Sequence, residues 1–150
     1  MGTYQTVLVG TDGSDSSFGA VDRAAQIARD EKATLIVVCA YYPADKHEIE
    51  KAEQELGDLV YQVVGSNPAE DTLRTATERA RKIGVDDVRT VAVRGEPVTS
   101  LLGELERNNA DLVVIGNRGL NTITGRIIGS VPANVTRQAC CDVLIVHTTG

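Results

Sequence analysis

Short apolar runs alternate with helical periods along this chain. The runs from Thr6 to Gly10, Thr34 to Ala40, Leu112 to Gly116 and Val143 to His147 are rich in β-branched residues. They show almost no polar alternation, the pattern of parallel strands covered on both faces. A fifth run, Val88 to Val93, is interrupted by Arg89 and Thr90, which suits a strand at a sheet edge. Between the runs lie amphipathic stripes. Phe18, Val21, Ala24, Ala25 and Ala28 recur at three- and four-residue steps after the first run, so one helix face is apolar. Asn67-Pro68-Ala69-Glu70 has the form of an N-cap, a proline at the first helical position and a capping-box acid. The stripe Leu73, Ala76, Ala80, Ile83 follows and Gly84 stops it. Pro97 opens a third helix carrying Val98, Leu101, Leu102 and Leu105, and a fourth starts near Ser130 with Val131, Val135 and Ala139.

Strands separated by helices predict right-handed crossovers and an α/β, doubly wound, mostly parallel sheet with helices on both faces. Neither a repeat nor a Pro/Gly/Ser linker divides the 150 residues, so residues 1–150 are expected to form one domain. The stretch from Tyr41 to Ser66 is the irregular part. It mixes Asp45, Glu48, Glu50, Glu53, Glu55 and Asp58 with Ile49, Leu56, Leu59, Val60 and Val63. A solvated amphipathic segment is the plain reading of such a charged run; a lid over a ligand is the sharper one.

Composition narrows the function classes. No apolar run approaches the ~18 residues of a membrane span, and Met1 to Gln5 lacks the basic and apolar regions of a secretory signal. A cytoplasmic protein is expected. The net charge of −6, with four tyrosines and one phenylalanine, disfavours a phosphate backbone or unstacked bases as partners. Cys39, Cys140 and Cys141 are too few for a disulfide framework or a zinc ribbon, and neither His47 nor His147 has a second histidine at ligand spacing. No metal site is expected.

In open parallel sheets ligands sit beyond the carboxyl ends of the strands, where strand order reverses. Attention therefore falls on Gly10-Thr11-Asp12-Gly13-Ser14-Asp15-Ser16-Ser17 and on Gly116-Asn117-Arg118-Gly119. From Gly119 nine residues lead to Gly129-Ser130, where a helix opens. Free N–H groups and the positive end of the helix dipole meet there, and two glycine bends facing one cleft form an anion site. Ser130 can cap the helix and turn its hydroxyl to the same anion. Between Gly116 and Cys141 the chain holds Arg118, Arg126 and Arg137 and no acid, a +3 segment in an acidic protein. Each charge-assisted bond to phosphate contributes roughly 1.5–3 kcal/mol, so three or four suffice for about micromolar binding. There is no G-x-x-x-x-G-K-[ST] loop and no G-x-G-x-x-G with a ribose-binding acid, which sets aside P-loop ATPases and dinucleotide enzymes.

The Gly116-x-x-Gly119-x9-Gly129-Ser130 pattern is similar to the nucleotide motif of the universal stress protein family. Val9-Gly10-Thr11-Asp12-Gly13-Ser14, Gly95-Glu96-Pro97 and Val131-Pro132-Ala133-Asn134-Val135 also resemble that family, in the same order along essentially the whole chain. The resemblance implies a five-stranded sheet of order 3-2-1-4-5 and a homodimer formed through the last strand, Val143 to Val146. It implies an adenine nucleotide, ATP or cyclic AMP, as ligand, with magnesium entering only alongside ATP. Gly10, Thr11 and Asp12 would lie beside the adenosine, and Ala40 would offer its backbone to the adenine edge. Gly116, Arg118 and Gly119 would line the ribose and phosphates, with Gly129, Ser130 and Val131 completing the cradle. Asn117 departs from the small hydroxyl residue usual in the family, which leaves the choice of phosphate chain open.

Turn chemistry alone gives Asp12-Gly13-Ser14 a second reading, an Asx turn leading into a helix cap. No set of nucleophile, base and orienting residue is visible, and no histidine stands near either loop, so no catalytic residue is expected. Slow ATP turnover and a ligand-free scaffold on the same fold are the alternatives. A phosphoacceptor receiver is set aside: Val93-Arg94 and His147-Thr148 stand where an Asp and a Lys are needed.

Overall fold

The computed structural model describes residues 3–41, 66–117 and 130–148. The irregular segment 42–65 and Arg126 lie outside them. Five parallel strands form one sheet: β1 (Thr6–Gly10), β2 (Thr34–Tyr41), β3 (Val88–Arg94), β4 (Leu112–Gly116) and β5 (Asp142–Val146). Their order is β3-β2-β1-β4-β5, as the resemblance implies. Among the described residues four helices join them: α1 (Asp15–Glu31), α2 (Ser66–Ile83), α3 (Pro97–Arg107) and α4 (Ser130–Gln138).

The alternation of each strand divides the core in two. Val7, Val9, Leu35, Val37, Cys39, Leu112, Val114 and Val146 face α1 and α2. Leu8, Ile36, Val38, Val113 and Ile115 face Val98, Leu101 and Leu105 of α3 and Val135 of α4. On the first face α1 and α2 bury small side chains, Ala20, Ala24, Ala25, Ala28, Ala76 and Ala80, so valines supply the volume. On the second face the helices bring leucines, each contributing about 1.5–3 kcal/mol of burial.

Local chemistry explains the boundaries. Ser14 caps α1, its Oγ accepting from the Ser17 N–H at 3.1 Å, and Asp15 sits favourably in the first turn. Lys32, at φ 55°, ends the helix by donating its N–H back to Ala28 and Arg29. Phe18, expected inside, is only half-buried, with the Arg79 guanidinium 5.2 Å from its ring centroid; buried Ser17 and Ala20 complete the inner stripe instead. Asn67 proves not to be a cap: α2 begins at Ser66, so Asn67 and Pro68 fall inside its first turn. Proline is tolerated there because the first four helical N–H groups lack intrahelical partners anyway.

The chain builds outward from β1 to β2 and β3, then returns to place β4 and β5 on the other side of β1. Strand order therefore reverses between β1 and β4, and at such a switch point open α/β sheets form a crevice beyond the carboxyl ends of their strands.

Candidate functional site

At that crevice β1 stops short of its neighbours. Its last partner on β2 is Val38, opposite Gly10, and one further bond, Thr11 N–H to the Val38 carbonyl at 2.9 Å, ends the ladder. β2 runs on through Ala40 and Tyr41, paired only with Val93 and Arg94 of β3. Successive residues of a strand turn their backbone groups to opposite sides. Val38 faces β1 and the Tyr41 carbonyl accepts from Gly95 N–H on the β3 side, so Ala40 turns toward the place that β1 has vacated. On the far side, Asn117 N–H binds the Val146 carbonyl of β5 at 2.8 Å. Gly116 therefore turns toward β1, past the last paired residues Val9 and Val114.

The β1 exit is held by neutral hydroxyls. Thr11 and Ser17 are each 1% exposed, and their oxygens lie 2.7 Å apart. The Ser17 hydroxyl donates to the Ser14 carbonyl at 2.9 Å, so its one proton is spent and the Thr11 hydroxyl must donate to it. Thr11 Oγ1 in turn accepts from Gly13 N–H at 3.2 Å, and Ser17 Oγ accepts from Asp12 N–H at 3.3 Å. Gly13 adopts φ 87°, a conformation costly for any residue with a Cβ. Asp12, 6% exposed, closes the Asx turn: its Oδ1 accepts from Ser14 N–H at 2.9 Å. Its Oδ2 meets no donor among the described residues. Both sequence readings of Asp12 are thus compatible, because the turn engages only one of its two oxygens.

The β4 exit is close-packed. A Cβ on Gly116 would stand 3.5 Å from both the methyl and the hydroxyl of Thr148 and 3.8 Å from the Ser16 carbonyl. Under the sheet end, Cys39 is fully buried. Burial first, and the Asp12 charge second, push its thiol up to about 12, so it stays protonated and inert. Cys140 is exposed and Cys141 half-buried, in the bend before β5. His147 lies just past the strand it was expected to end, and is exposed.

The structure thus gathers Gly10, Thr11, Asp12, Ala40 and Gly116 at one carboxyl edge. Ser130 and Val131 open α4, while Arg118, Gly119 and Gly129 lie outside the described residues. The surface hollows lined by Arg79 and Lys82 and by Arg29 and Asp87 lie on α2 and at the amino edge, away from this crevice. Ser16, Ser17 and Thr148 escape a reading of motifs, since their roles arise from contacts. The Ser16-Ser17 pair just after a glycine turn was the one available signal for the first two. Among the described residues no group of three His, Cys, Asp or Glu side chains could hold a metal ion, and no helix is long and apolar enough to cross a membrane.

Comparison with known proteins places this arrangement. A universal stress protein of Mycobacterium tuberculosis strain H37Rv is 52% identical over 149 residues, covering 99% of this chain and 100% of that protein. The crystal structure of a universal stress protein in complex with cAMP superposes with a TM-score of 0.76 at 49% identity, covering 97% of this chain and 99% of that one. The universal stress protein of Archaeoglobus fulgidus in complex with dAMP shares the fold, with a TM-score of 0.66 at 21% identity over 95% of this chain and 97% of that one. The sequence model of the universal stress protein family matches residues 3–147, and the chain belongs to that family.

Proposed function

We propose that this protein is a non-catalytic module that binds an adenine nucleotide, cyclic AMP or ATP, at the carboxyl edge of β1 and β4. The observation that carries the reading is the nearly half-identical structure, matched over almost its whole length, that holds cAMP. The geometry supports it. Ala40 turns its backbone toward the crevice, where it meets no strand partner among the described residues, as an adenine edge requires, and one Asp12 oxygen, without a donor among those residues, is assigned to a ribose hydroxyl. Gly116, Arg118 and Gly119, with Gly129, Ser130 and Val131 at the start of α4, are assigned to ribose and phosphates. Magnesium, if ATP is the ligand, would be held by the phosphates and water, a usual arrangement for that ion. No residue is assigned a catalytic role, and the cytoplasm is the proposed location.

Calorimetric titration with cyclic AMP, ATP, ADP and AMP tests this directly. Micromolar binding of at least one is expected; heats indistinguishable from dilution for all four reject the reading.

We also propose a homodimer through the last strand. Ile145 on β5 is 46% exposed, the one large hydrophobic side chain among the described residues to be so, and β5 is a sheet edge whose outer side has no strand partner among those residues. Pairing with a second copy about a two-fold axis satisfies both. Leu144 is half-buried against the α1/α2 core, so a charge there would disturb folding. Ile145→Lys is the cleaner probe and should give monomers by light scattering; an intact dimer refutes the edge pairing.

A further inference from the structure

Thr148 lies two residues beyond β5, 132 positions from its partner Ser16, and is joined to both walls of the crevice. Its N–H donates to Asn117 Oδ1 at 2.9 Å and its hydroxyl donates to the same oxygen at 3.0 Å. A backbone N–H can only donate, which fixes the carboxamide with its oxygen toward Thr148. The single Thr148 proton is thereby committed, so the Ser16 hydroxyl donates to Thr148 Oγ1. The Thr148 methyl fills the remaining space. It would stand 3.3 Å from a Cβ on Gly19 and 3.5 Å from one on Gly116. One side chain therefore links the first turn of α1, the exit of β4 and the tail of β5.

We propose that Thr148 and Asn117 form a clasp that positions the β4 exit against the start of α1, and so sets the affinity of the nucleotide edge. The inference rests on the proposed nucleotide site but concerns residues to which that proposal assigns no ligand contact. Asn117 replaces the small hydroxyl of the family pattern, and its carboxamide is engaged on the β5 side. It acts as a positioning residue for Gly116, whose backbone turns the other way, toward β1. Without the clasp the β4 exit and the α1 turn move independently, and ligand binding must first order them. Because the same residue continues β5, the edge strand and the ligand edge form one mechanical unit.

Two substitutions separate the hydroxyl from the methyl. Thr148→Val keeps shape against Gly19 and Gly116 and loses both hydroxyl bonds. Thr148→Ser keeps the bonds and loses the methyl. Titrated with cyclic AMP and ATP, Thr148→Val should bind about tenfold more weakly than wild type, while Thr148→Ser restores affinity to within about threefold. The melting temperature of Thr148→Val should stay close to wild type, since the site is partly solvated. In a double-mutant cycle the affinity losses of Thr148→Val and Asn117→Ala should be less than additive, because both break the same bond. Wild-type protein that binds neither nucleotide overturns the functional reading and this inference together. Wild-type binding with an unaffected Thr148→Val, or with fully additive losses, overturns the clasp alone.

Discussion

Among the described residues two strands feed directly into a helix through a tight turn, and they solve the problem of a helix start in opposite ways. After β3, Glu96 caps α3 with a full carboxylate. Oε1 accepts from Val98 N–H at 2.9 Å, and Oε2 accepts from Thr99 N–H at 3.0 Å and from the Thr99 hydroxyl at 2.9 Å. The positive end of that helix is already neutralised by the protein's own anion. After β1, the cap of α1 is the neutral Ser14, and the turn is braced by Thr11 and Ser17. The acid of that turn, Asp12, engages one oxygen internally, and the other meets no donor among the described residues. A turn that consumes its carboxylate is finished structure; a turn held by hydroxyls leaves its carboxylate for the partner proposed above.

The largest effect expected from breaking this contrast is on ligand affinity. Asp12→Asn preserves an oxygen for the Ser14 N–H and so keeps the Asx turn. It replaces the remaining oxygen with a donor and removes the charge. Loss of one charge-assisted bond, roughly 1.5–3 kcal/mol, converts to about ten- to a hundredfold weaker binding. The melting temperature should hold within about 2 °C. Calorimetry with cyclic AMP and thermal denaturation of the same sample check both halves. Unchanged affinity would show that Asp12 serves the turn alone, and the asymmetry between the two exits would lose its functional meaning.

What was legible in the sequence follows the range of the forces involved. The apolar runs are free enough of polar alternation, and rich enough in β-branched residues, that β1, β2 and β4 read as buried strands; β3 read as an edge through Arg89 and Thr90. Strand order came from resemblance, because no single run encodes its neighbours. The Asx turn at Asp12 and the glycine stop of α2 were legible because both bonds close within a few residues. The start of α2 was misread since a proline fits any position of a first turn and marks the boundary only loosely. The braces at the β1 exit were out of reach for a different reason. Ser17 differs from any exposed helical serine only in being buried under Thr11, and Thr148 matters only because β5 brings it beside Ser16. Such contacts are consequences of topology, which local pattern does not carry. Half of the proposed phosphate cradle, Arg118, Gly119 and Gly129, still stands on the motif.

The smaller effect belongs to the other exit and runs the opposite way. Burial acts to raise the Glu96 carboxyl, but the bonds from the Thr99 and Val98 N–H groups and the Thr99 hydroxyl outweigh it and hold the group below the usual carboxylate range. A group depressed in the folded state contributes stability above its unfolded value, about 4.3 for glutamate, and loses it as pH falls through the folded value. Glu96→Gln removes the charge and keeps one acceptor. At pH 7 it should therefore cost a modest amount, about 0.5–1 kcal/mol in the range of cap substitutions, seen as a drop of roughly 1–4 °C in melting temperature. The gap from wild type should begin to close as pH falls below the unfolded value and vanish once it has passed the lower folded value, where the wild-type cap is itself protonated. Cyclic AMP affinity at pH 7 should be unchanged. A Glu96→Gln protein that loses affinity while keeping its stability would place the anion-sensitive helix start at α3 rather than beside Asp12, reversing the roles of the two exits.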